Sequence, residues 1–344
     1  MDNRFFLQQE VSLKTLNTFG INTVAAYYVE IHNLIDLYRI YQDEKLRNLP
    51  RLILGGGSNV LLVSERFNGL VLRIINKGIN IERDDGQAVY IRVYAGEKWH
   101  DFVQWTLQQG YPGLENLSFI PGTVGAAPIQ NIGAYGAEMK DHFYSLRAFD
   151  FQSGQVIELD REDCAFSYRD SIFKHVEKNR FVITDITFAL PRKWIPNIKY
   201  KDISDYFANK KIDAPTANQI SQAVVEIRQH KLPNPALQGN AGSFFQNPTV
   251  TAEDLAVLKL KFPTIPAYAQ SNGTFRIAAG WLIDQCGWKG KRLGNAGVCA
   301  TQALVLINCG DAKGEEIAEL ARTIQDDVYK KFGVQLVPEP DFIN

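Results

Sequence analysis

Two glycine-rich segments in the first half of the chain carry the residue types that could hold a phosphate-bearing ligand. The first is Gly-Gly-Gly-Ser-Asn at residues 55–59, between the apolar runs 51–54 and 60–63. Successive glycine N–H groups can turn toward one point and form a nest for phosphate oxygens, to which Ser58 and Asn59 can add side-chain bonds. The segment joins strand to strand and lacks the spacing of a Rossmann or Walker loop, so a tight hairpin is the alternative interpretation.

The second segment, residues 114–136, runs for more than twenty residues without a helical stripe. Structureless segments of that length inside a compact domain are usually functional. Its glycines and small side chains would let the backbone approach a flat ligand closely. Two such segments in one domain suggest a dinucleotide bound in extended form, with its pyrophosphate at the first segment and its ring system along the second.

The elements that must position these segments indicate an α+β chain with a second domain. Apolar periodicity predicts helices at 32–46, 98–109, 216–229, 251–261 and 317–328. Strand-like runs lie at 51–54, 60–63, 70–75, 89–94, 145–151 and 180–190. The polar stretch 191–211, with Pro191 and Pro196, marks a predicted boundary, after which helices dominate.

Composition and charge exclude several classes of protein. The chain has 344 residues, 45% hydrophobic and 22% charged, which is ordinary for a folded protein of two or three domains. Lysine and arginine (37) nearly balance aspartate and glutamate (38), so no nucleic-acid partner is expected. The lack of a signal-like N-terminus and of long apolar runs predicts a cytoplasmic chain with no membrane partner. The cysteines and histidines form no spaced ligand set, so we predict reduced thiols and no metal.

Seven motifs, in order along most of the chain, carry a family resemblance. They are N-T-F-G-I (17–21), G-G-G-S-N-V-L-L (55–62), P-G-L-E-N-L (112–117), P-I-Q-N-I-G-A-Y-G (128–136), Y-R-D-S-I-F-K (168–174), G-N-A-G-S-F-F (239–245) and G-W-L-I-D-Q-C (280–286). Together they resemble the UDP-N-acetylenolpyruvoylglucosamine reductase (MurB) family, in its larger subgroup with a tyrosine loop. The resemblance implies an α+β fold, with an FAD-binding domain of the vanillyl-alcohol-oxidase (PCMH) type and a smaller α+β substrate-binding domain. It implies FAD-binding subdomains at 1–75 and 76–213, a substrate-binding domain at 214–330, and a C-terminal segment, 331–344, that returns to the active site.

The resemblance also implies a reaction in two halves. A hydride from NADPH is carried by FAD to the enolpyruvyl ether of a UDP-N-acetylglucosamine substrate, which yields UDP-N-acetylmuramate. FAD is expected to be non-covalent, because no histidine lies between Ile53 and Val63. The expected partner is the nucleotide sugar, and the chain is expected to be a monomer. Two alternatives stay open: an FAD-dependent oxidase or dehydrogenase of the same fold acting on an alcohol or lactone, and a nucleotide-sugar-binding protein without turnover.

Three residues that match the family's motifs are implied to carry the chemistry. Arg169 is the cation for the substrate carboxylate, Ser243 is the proton donor, and Glu339 is the third group. The chain departs from the family at Val337, where a glutamate is common. Because an ionised Glu339 would repel the forming dianion, we expect it to be protonated or paired with Arg169 during hydride transfer. Taken alone, these residues could be a surface ion pair with a nearby aspartate, a turn serine and a solvated tail carboxylate.

The resemblance places the cofactor along both glycine-rich segments. The implied cofactor-binding residues are Gly55, Gly56, Gly57, Ser58, Asn59, Pro121, Gly122, Gly125, Ala126, Gln130, Asn131, Gly133, Tyr135 and Gly136. The implied substrate contacts are Tyr200, Arg228, Lys231 and Asn247, with Tyr200 in a loop that closes over the nucleotide sugar. Lys231 could equally be a solvated cation at the C-terminal end of a helix.

Overall fold

The computed structural model describes residues 5–175 and 177–344. Its helices are α1 (Leu34–Gln42), α2 (Glu44–Asn48), α3 (Trp99–Gln108), α4 (Lys201–Lys210), α5 (Ala217–Lys231), α6 (Ala252–Lys261), α7 (Ala279–Gln285) and α8 (Gly314–Phe332). Its strands are β1 (Gln8–Ser12), β2 (Val24–Ile31), β3 (Arg51–Leu54), β4 (Val60–Leu62), β5 (Arg66–Ile74), β6 (Ile79–Asp84), β7 (Ala88–Tyr94), β8 (Gly133–Ala134), β9 (Ala137–Glu138), β10 (Phe143–Asp150), β11 (Gln155–Asp160), β12 (Phe181–Pro191), β13 (Thr249–Val250), β14 (Ala267–Ala269), β15 (Phe275–Ile277), β16 (Arg292–Leu293), β17 (Ala296–Val298), β18 (Leu306–Asn308) and β19 (Asp341–Ile343).

The described chain divides into two compact units. The first contains residues 5–11, 25–57 and 68–229, and the second contains residues 12–24, 58–67 and 230–344. The family resemblance implied boundaries at 75, 213 and 330. Those boundaries separate subdomains and not these two units, so they stay predictions.

Two β-sheets form the framework of the first unit. One has the strand order β1-β2-β5-β3, with β3 parallel to β5. The other has the order β11-β10-β12-β7-β6, and its neighbouring strands are antiparallel. Every second residue of β7 is buried, as its alternating sequence predicts. Trp99 and Phe102 of α3 pack on Phe188 of β12, with ring centroids 5.8 and 5.4 Å apart, so α3 is fixed against this sheet.

The second unit combines α6, α7 and α8 with short strands. β19 pairs in parallel with β4, with Asp341 opposite Val60, and the sheets β13-β15-β14 and β16-β17-β18 complete it. α8 begins at Gly314, where a Cβ would overlap the carbonyl oxygen of Leu62, and is capped by Gly333 at φ 68°. The apolar stripe predicted for α8 is buried: Ile317, Leu320, Ala321, Ile324 and Val328.

The structure confirms the α+β class and corrects one local prediction. The helix expected over 32–46 is interrupted at Asp43, whose extended backbone ends α1 and whose side chain accepts the N–H of Leu46 to begin α2. The polar stretch 191–211 also contains a helix that was not predicted from the sequence, α4, whose buried face packs on α5; the boundary expected there stays a prediction. In the described residues, no helix has the length and apolar character needed to cross a membrane.

Candidate functional site

The glycines of the two predicted cofactor segments let the backbones of those segments touch. A Cβ on Gly56 would lie 2.8 Å from the Cα of Gly122, and one on Gly55 would overlap Oγ1 of Thr123. Glycine is therefore needed at these positions for contact between the segments, a role that the phosphate-nest interpretation did not include. The other predicted cofactor residues of the long segment also lie in the first unit: Pro121, Gly125, Ala126, Gln130, Asn131, Gly133, Tyr135 and Gly136.

The side chain of Asn131 is used inside the first unit. This residue is fully buried, with a left-handed backbone at φ 44°. Its Nδ2 donates to the Ser167 carbonyl at 2.9 Å and to the Glu138 carboxylate at 3.0 Å, while its Oδ1 accepts the Lys140 N–H at 3.0 Å. The bond to Ser167 fastens the second glycine-rich segment to the turn that contains Arg169.

Arg169 reaches the second glycine-rich segment. It lies at the left-handed corner (φ 57°) of a turn in which the Ser167 N–H donates to the Asp170 carbonyl at 3.1 Å. Its Nη2 donates to the carbonyl of Gly133 at 2.6 Å. The carboxylate of Asp170 contacts Nε2 of the exposed His175 at 2.7 Å. The turn therefore directs the guanidinium toward the segment that was predicted to line the cofactor.

Three predicted residues from separate parts of the sequence meet in the first unit. Arg228 on α5 interacts with the side chain of Tyr135, and its Nε donates to the Phe119 carbonyl at 3.1 Å. The rings of Tyr135 and Tyr200 meet edge to face with centroids 5.3 Å apart. Arg228, Tyr135 and Tyr200 thus form one cluster, to which Phe119 contributes its backbone.

Burial and charge govern ionisation in this cluster. Burial lowers the pKa of the Arg228 guanidinium; Tyr135 opposes that shift, and the positive charge of Arg169 adds to it. Burial also raises the pKa of Tyr135, against the effect of Arg228. An anion would relieve both the desolvation of Arg228 and its repulsion from Arg169. The cluster therefore suits a carboxylate or a phosphate, which arginine can bind through two hydrogen bonds.

Two residues that were not predicted for the site hold this cluster in place. Nδ2 of the buried Asn116 donates to the carbonyls of Tyr135 at 3.0 Å and of Asn197 at 2.9 Å. The buried carboxylate of Glu115 accepts the indole N–H of Trp194 at 2.8 Å. Together they fasten the segment that leads into α4 to the second glycine-rich segment. The sequence does contain a signal for these two residues, because the adjacent glutamate and asparagine lie between two leucines. Polar residues that are buried among apolar ones need hydrogen-bond partners.

Backbone bonds bring Ser243 and Glu339 close together in the second unit. The N–H of Glu339 donates at 2.8 Å to the carbonyl of Phe244, the residue after Ser243. Glu339 is 9% exposed and is therefore not a solvated tail residue, whereas Ser243 is exposed. Asn59 holds the same C-terminal segment, because its Nδ2 donates to the Glu339 carbonyl at 3.2 Å and its carbonyl accepts the Asp341 N–H at 3.0 Å.

Asn247 and Lys231 each lie at the end of a helix. Oδ1 of Asn247 accepts the N–H of Ala279, the first residue of α7, at 3.0 Å. Lys231 is the exposed last residue of α5. Both belong to the second unit, as does Ser58. Their contacts with a substrate or cofactor stay predictions.

The paired glycine-rich segments of the first unit fit an extended dinucleotide. Gly56 and Pro121 are exposed on them. Their one acidic residue, Glu115, is buried and bonded to Trp194, and residues 55–57 and 118–136 contain no aspartate or glutamate that would repel phosphate. Across 5–175 and 177–344, no group of three or more histidine, cysteine, aspartate or glutamate side chains could hold a metal ion. The exposed glycine backbone and the lack of acidic side chains along residues 55–57 and 118–136 suit a ligand with phosphates.

Family comparisons define the class of this protein. Residues 25–160 match the family described as FAD binding domain. Residues 234–343 match the family described as UDP-N-acetylenolpyruvoylglucosamine reductase, C-terminal domain. An FAD binding domain followed by a reductase C-terminal domain defines an FAD-dependent oxidoreductase.

Full-length relatives identify the family. The chain is 51% identical over 330 residues to the UDP-N-acetylenolpyruvoylglucosamine reductase of Paraburkholderia phytofirmans, with 95% of each chain covered. It is 48% identical over 341 residues to that of Burkholderia mallei, with 98% of each covered. The crystal structure of the reductase (MurB) from Thermus caldophilus, 24% identical, covers 99% of each chain with a TM-score of 0.67 and supports the fold. The chain belongs to the UDP-N-acetylenolpyruvoylglucosamine reductase family, which confirms the resemblance and the fold class predicted from the sequence.

Proposed function

We propose that this chain reduces UDP-N-acetylglucosamine enolpyruvate to UDP-N-acetylmuramate, with NADPH as the hydride donor and FAD bound without a covalent link. The family supports the reaction, and the FAD binding domain supports the cofactor. The observation that carries the proposal is the approach of Arg169 to Gly133 and of Arg228 to Tyr135, in one segment of that domain. Two guanidinium groups at such a segment suit an anionic substrate.

Arg169 binds the carboxylate of the enolpyruvyl group. Bound FAD would supply the hydride carrier between NADPH and the substrate. Once the terminal carbon of the enolpyruvyl ether has accepted the hydride, negative charge spreads from the adjacent carbon into the carboxylate. The planar guanidinium of Arg169 stabilises that charge through two hydrogen bonds that strengthen as the charge accumulates.

Ser243 donates the proton that completes the reduction. Its side chain is exposed, and none of the described residues forms a hydrogen bond with the hydroxyl. A hydroxyl is a weak acid, but the carbanionic carbon is a strong base, so the transfer runs downhill over a short distance. Glu339 is largely buried next to this serine's backbone, and beside the forming dianion it is either protonated or paired with Arg169.

The nucleotide sugar is recognised by aromatic and cationic groups. Tyr200, which is 46% exposed and packs on Tyr135, covers the nucleotide, and Arg228 and Lys231 compensate its negative charge. Asn247 contributes a further polar contact. With this substrate the chain acts in the synthesis of peptidoglycan precursors, as a monomer in the cytoplasm.

The test follows the two half-reactions of the FAD-loaded protein separately under anaerobic conditions. Ser243→Ala should leave the reduction of the flavin by NADPH within about twofold of the native rate. It should slow reoxidation by the enolpyruvyl nucleotide about 100-fold to 10,000-fold, because general acid catalysis contributes that much. Ser271→Ala, in the exposed turn between β14 and β15, is the matched control and should behave as the native chain does.

Two results would contradict the proposal. If Ser243→Ala turns over at a rate close to that of the native chain, Ser243 is not the proton donor. If the flavin of the native chain is reduced by an alcohol or a lactone and the enolpyruvyl nucleotide fails to reoxidise it, the chain is an oxidase or dehydrogenase of the same fold.

A further inference from the structure

His100, which carries no role so far, contacts the backbone of Phe119. It is the second residue of α3, and its Nδ1 accepts the Phe119 N–H at 3.0 Å. The two rings also meet edge to face, with centroids 5.6 Å apart. The imidazole therefore holds both the peptide and the side chain of Phe119.

The peptide that His100 holds is in an unfavourable conformation. Phe119 has a left-handed backbone, with φ 60°, although the residue is 39% exposed. A left-handed conformation costs a non-glycine residue about 1–2 kcal/mol. It persists only where the surroundings stabilise it, and such residues cluster at functional sites. The carbonyl of Phe119 accepts Nε of Arg228 at 3.1 Å, so this conformation has a direct consequence for the cluster.

The bond from Phe119 requires a neutral imidazole. Nδ1 can accept a hydrogen bond only when it carries no proton. Burial lowers the pKa of His100, and the positive charge of Arg228 adds to that effect, while Asp101 opposes it. The N-terminal end of α3 also disfavours a positive charge. The bond is therefore present above the pKa of His100 and is lost as the pH falls through it.

We propose that His100 is a positioning residue: its neutral imidazole holds the Phe119 peptide, and the Phe119 carbonyl orients the guanidinium of Arg228 toward the substrate. The inference rests on the proposed function, in which Arg228 binds the nucleotide sugar. It concerns two consecutive hydrogen bonds within the first unit, from Phe119 to His100 and from Arg228 to Phe119.

Steady-state kinetics of the FAD-loaded enzyme test the orientation of Arg228. His100→Ala should raise KM for the enolpyruvyl nucleotide about 10-fold and change kcat less than about threefold, as expected when binding rather than the chemical step is weakened. His100→Asn, whose Oδ1 can replace Nδ1 as the acceptor, should recover most of the loss. His32→Asn, a histidine outside the cluster, is the matched control. An unchanged KM in His100→Ala, or an asparagine variant as impaired as the alanine variant, contradicts the inference.

The pH profile separates positioning from a merely structural role. KM of the native enzyme should rise as the pH falls through the pKa of His100, because the imidazolium cannot accept the Phe119 N–H. The same acid limb should be absent from His100→Asn, which has no proton to gain in this range. An acid limb that persists unchanged in His100→Asn overturns the inference.

A spectroscopic measurement decides the inference without turnover. In FAD-loaded protein labelled with ¹⁵N-arginine, the Nε–H resonance of Arg228 can be assigned by its loss in Arg228→Lys. It should shift in His100→Ala and should be restored toward its native position in His100→Asn. If the native enzyme does not reduce the enolpyruvyl nucleotide, the proposed function fails while this resonance still reports on His100. A resonance that His100→Ala does not move overturns the inference itself.

Discussion

Replacing Gly56 with alanine should force the two glycine-rich segments apart. A Cβ at this position would lie 2.8 Å from the Cα of Gly122. Carbon atoms in ordinary contact are about 3.5–4.0 Å apart, so the backbones must separate by roughly 0.7 Å or more. The atom in the way is a backbone atom, the Cα of Gly122, which cannot rotate away as a side chain could. The φ angle of Gly56 is not left-handed, so alanine would add no backbone strain of its own. Overpacking of this kind costs about 1–3 kcal/mol.

A neighbouring pair of residues provides the contrast. A Cβ on Gly55 would overlap only Oγ1 of Thr123, while the Thr123 Cβ, 3.5 Å away, is at an ordinary distance. Thr123→Ala removes that oxygen, so it should rescue Gly55→Ala. No change of side chain can rescue Gly56→Ala in the same way. Gly310→Ala, where nothing lies within 4 Å, is the matched control.

Titration of the apoprotein with FAD, followed by flavin fluorescence, measures the effect. If the whole cost falls on the flavin-bound form, 1–3 kcal/mol corresponds to a dissociation constant about 5-fold to 150-fold higher for Gly56→Ala. Gly55→Ala should weaken binding less than Gly56→Ala, because Oγ1 of Thr123 can rotate away, and Thr123→Ala should return the double variant to within about threefold of native affinity. The reasoning fails if Gly56→Ala binds FAD like Gly310→Ala, or if the double variant is no better than Gly55→Ala. Urea unfolding of the same variants separates loss of affinity from loss of fold.

Two further predictions concern stability and local order. Asp150 accepts two hydrogen bonds from Arg180, at 2.8 and 3.0 Å, which hold the pKa of its carboxyl well below the usual range. Asp150→Asn should lower the free energy of unfolding by about 1–3 kcal/mol at neutral pH. The difference in this free energy between the native chain and the variant, measured by urea unfolding, should shrink as the pH falls through the depressed folded-state pKa of Asp150. A difference that does not depend on pH would contradict this prediction. Asn116→Ala should leave the carbonyls of Tyr135 and Asn197 without their donor and lower the free energy of unfolding by about 1–3 kcal/mol. Faster hydrogen exchange in residues 194–200 should accompany it, and unchanged exchange there would refute the proposed fastening.

Local signals in the sequence predicted the helices well where capping and periodicity agreed. α6 begins after Thr251, which accepts the N–H of Asp254 at 3.1 Å, as its capping pattern predicts. α8 carries the predicted stripe and is capped by Gly333. Over 32–46 the two signals conflicted, because the apolar spacing continued through Asp43 while that aspartate also favours a new helix start. The side chain capped the second helix, and the periodic pattern was interrupted.

Long-range pairings could not be predicted in the same way. The pairing of β19 with β4 joins residues 281 positions apart, Asp341 with Val60, and the composition of neither short strand indicates its partner. The burial of Glu339 follows from that pairing and from its backbone bond to Phe244. A carboxylate in a terminal segment is solvated by default, so position alone favoured the opposite conclusion. Only the family resemblance marked it as a site residue.

The left-handed residues of the first unit explain why the sequence predicted candidate site residues but not the residues that hold them in place. Glycine in the sequence indicates a left-handed position and asparagine favours one, whereas Phe119, Tyr135 and Arg169 adopt this conformation with side chains that do not predict it. Each of these three costs about 1–2 kcal/mol, and the peptides of Phe119 and Tyr135 are held by groups elsewhere in the unit. His100 accepts from the Phe119 N–H, Asn116 donates to the Tyr135 carbonyl, and Arg169 lies in the turn between Ser167 and Asp170. Because these supports are single polar residues scattered between apolar runs, their roles follow from hydrogen-bond geometry rather than from any periodic pattern. Residues that hold a strained backbone near the arginines are therefore expected to affect substrate binding as strongly as residues that touch the substrate.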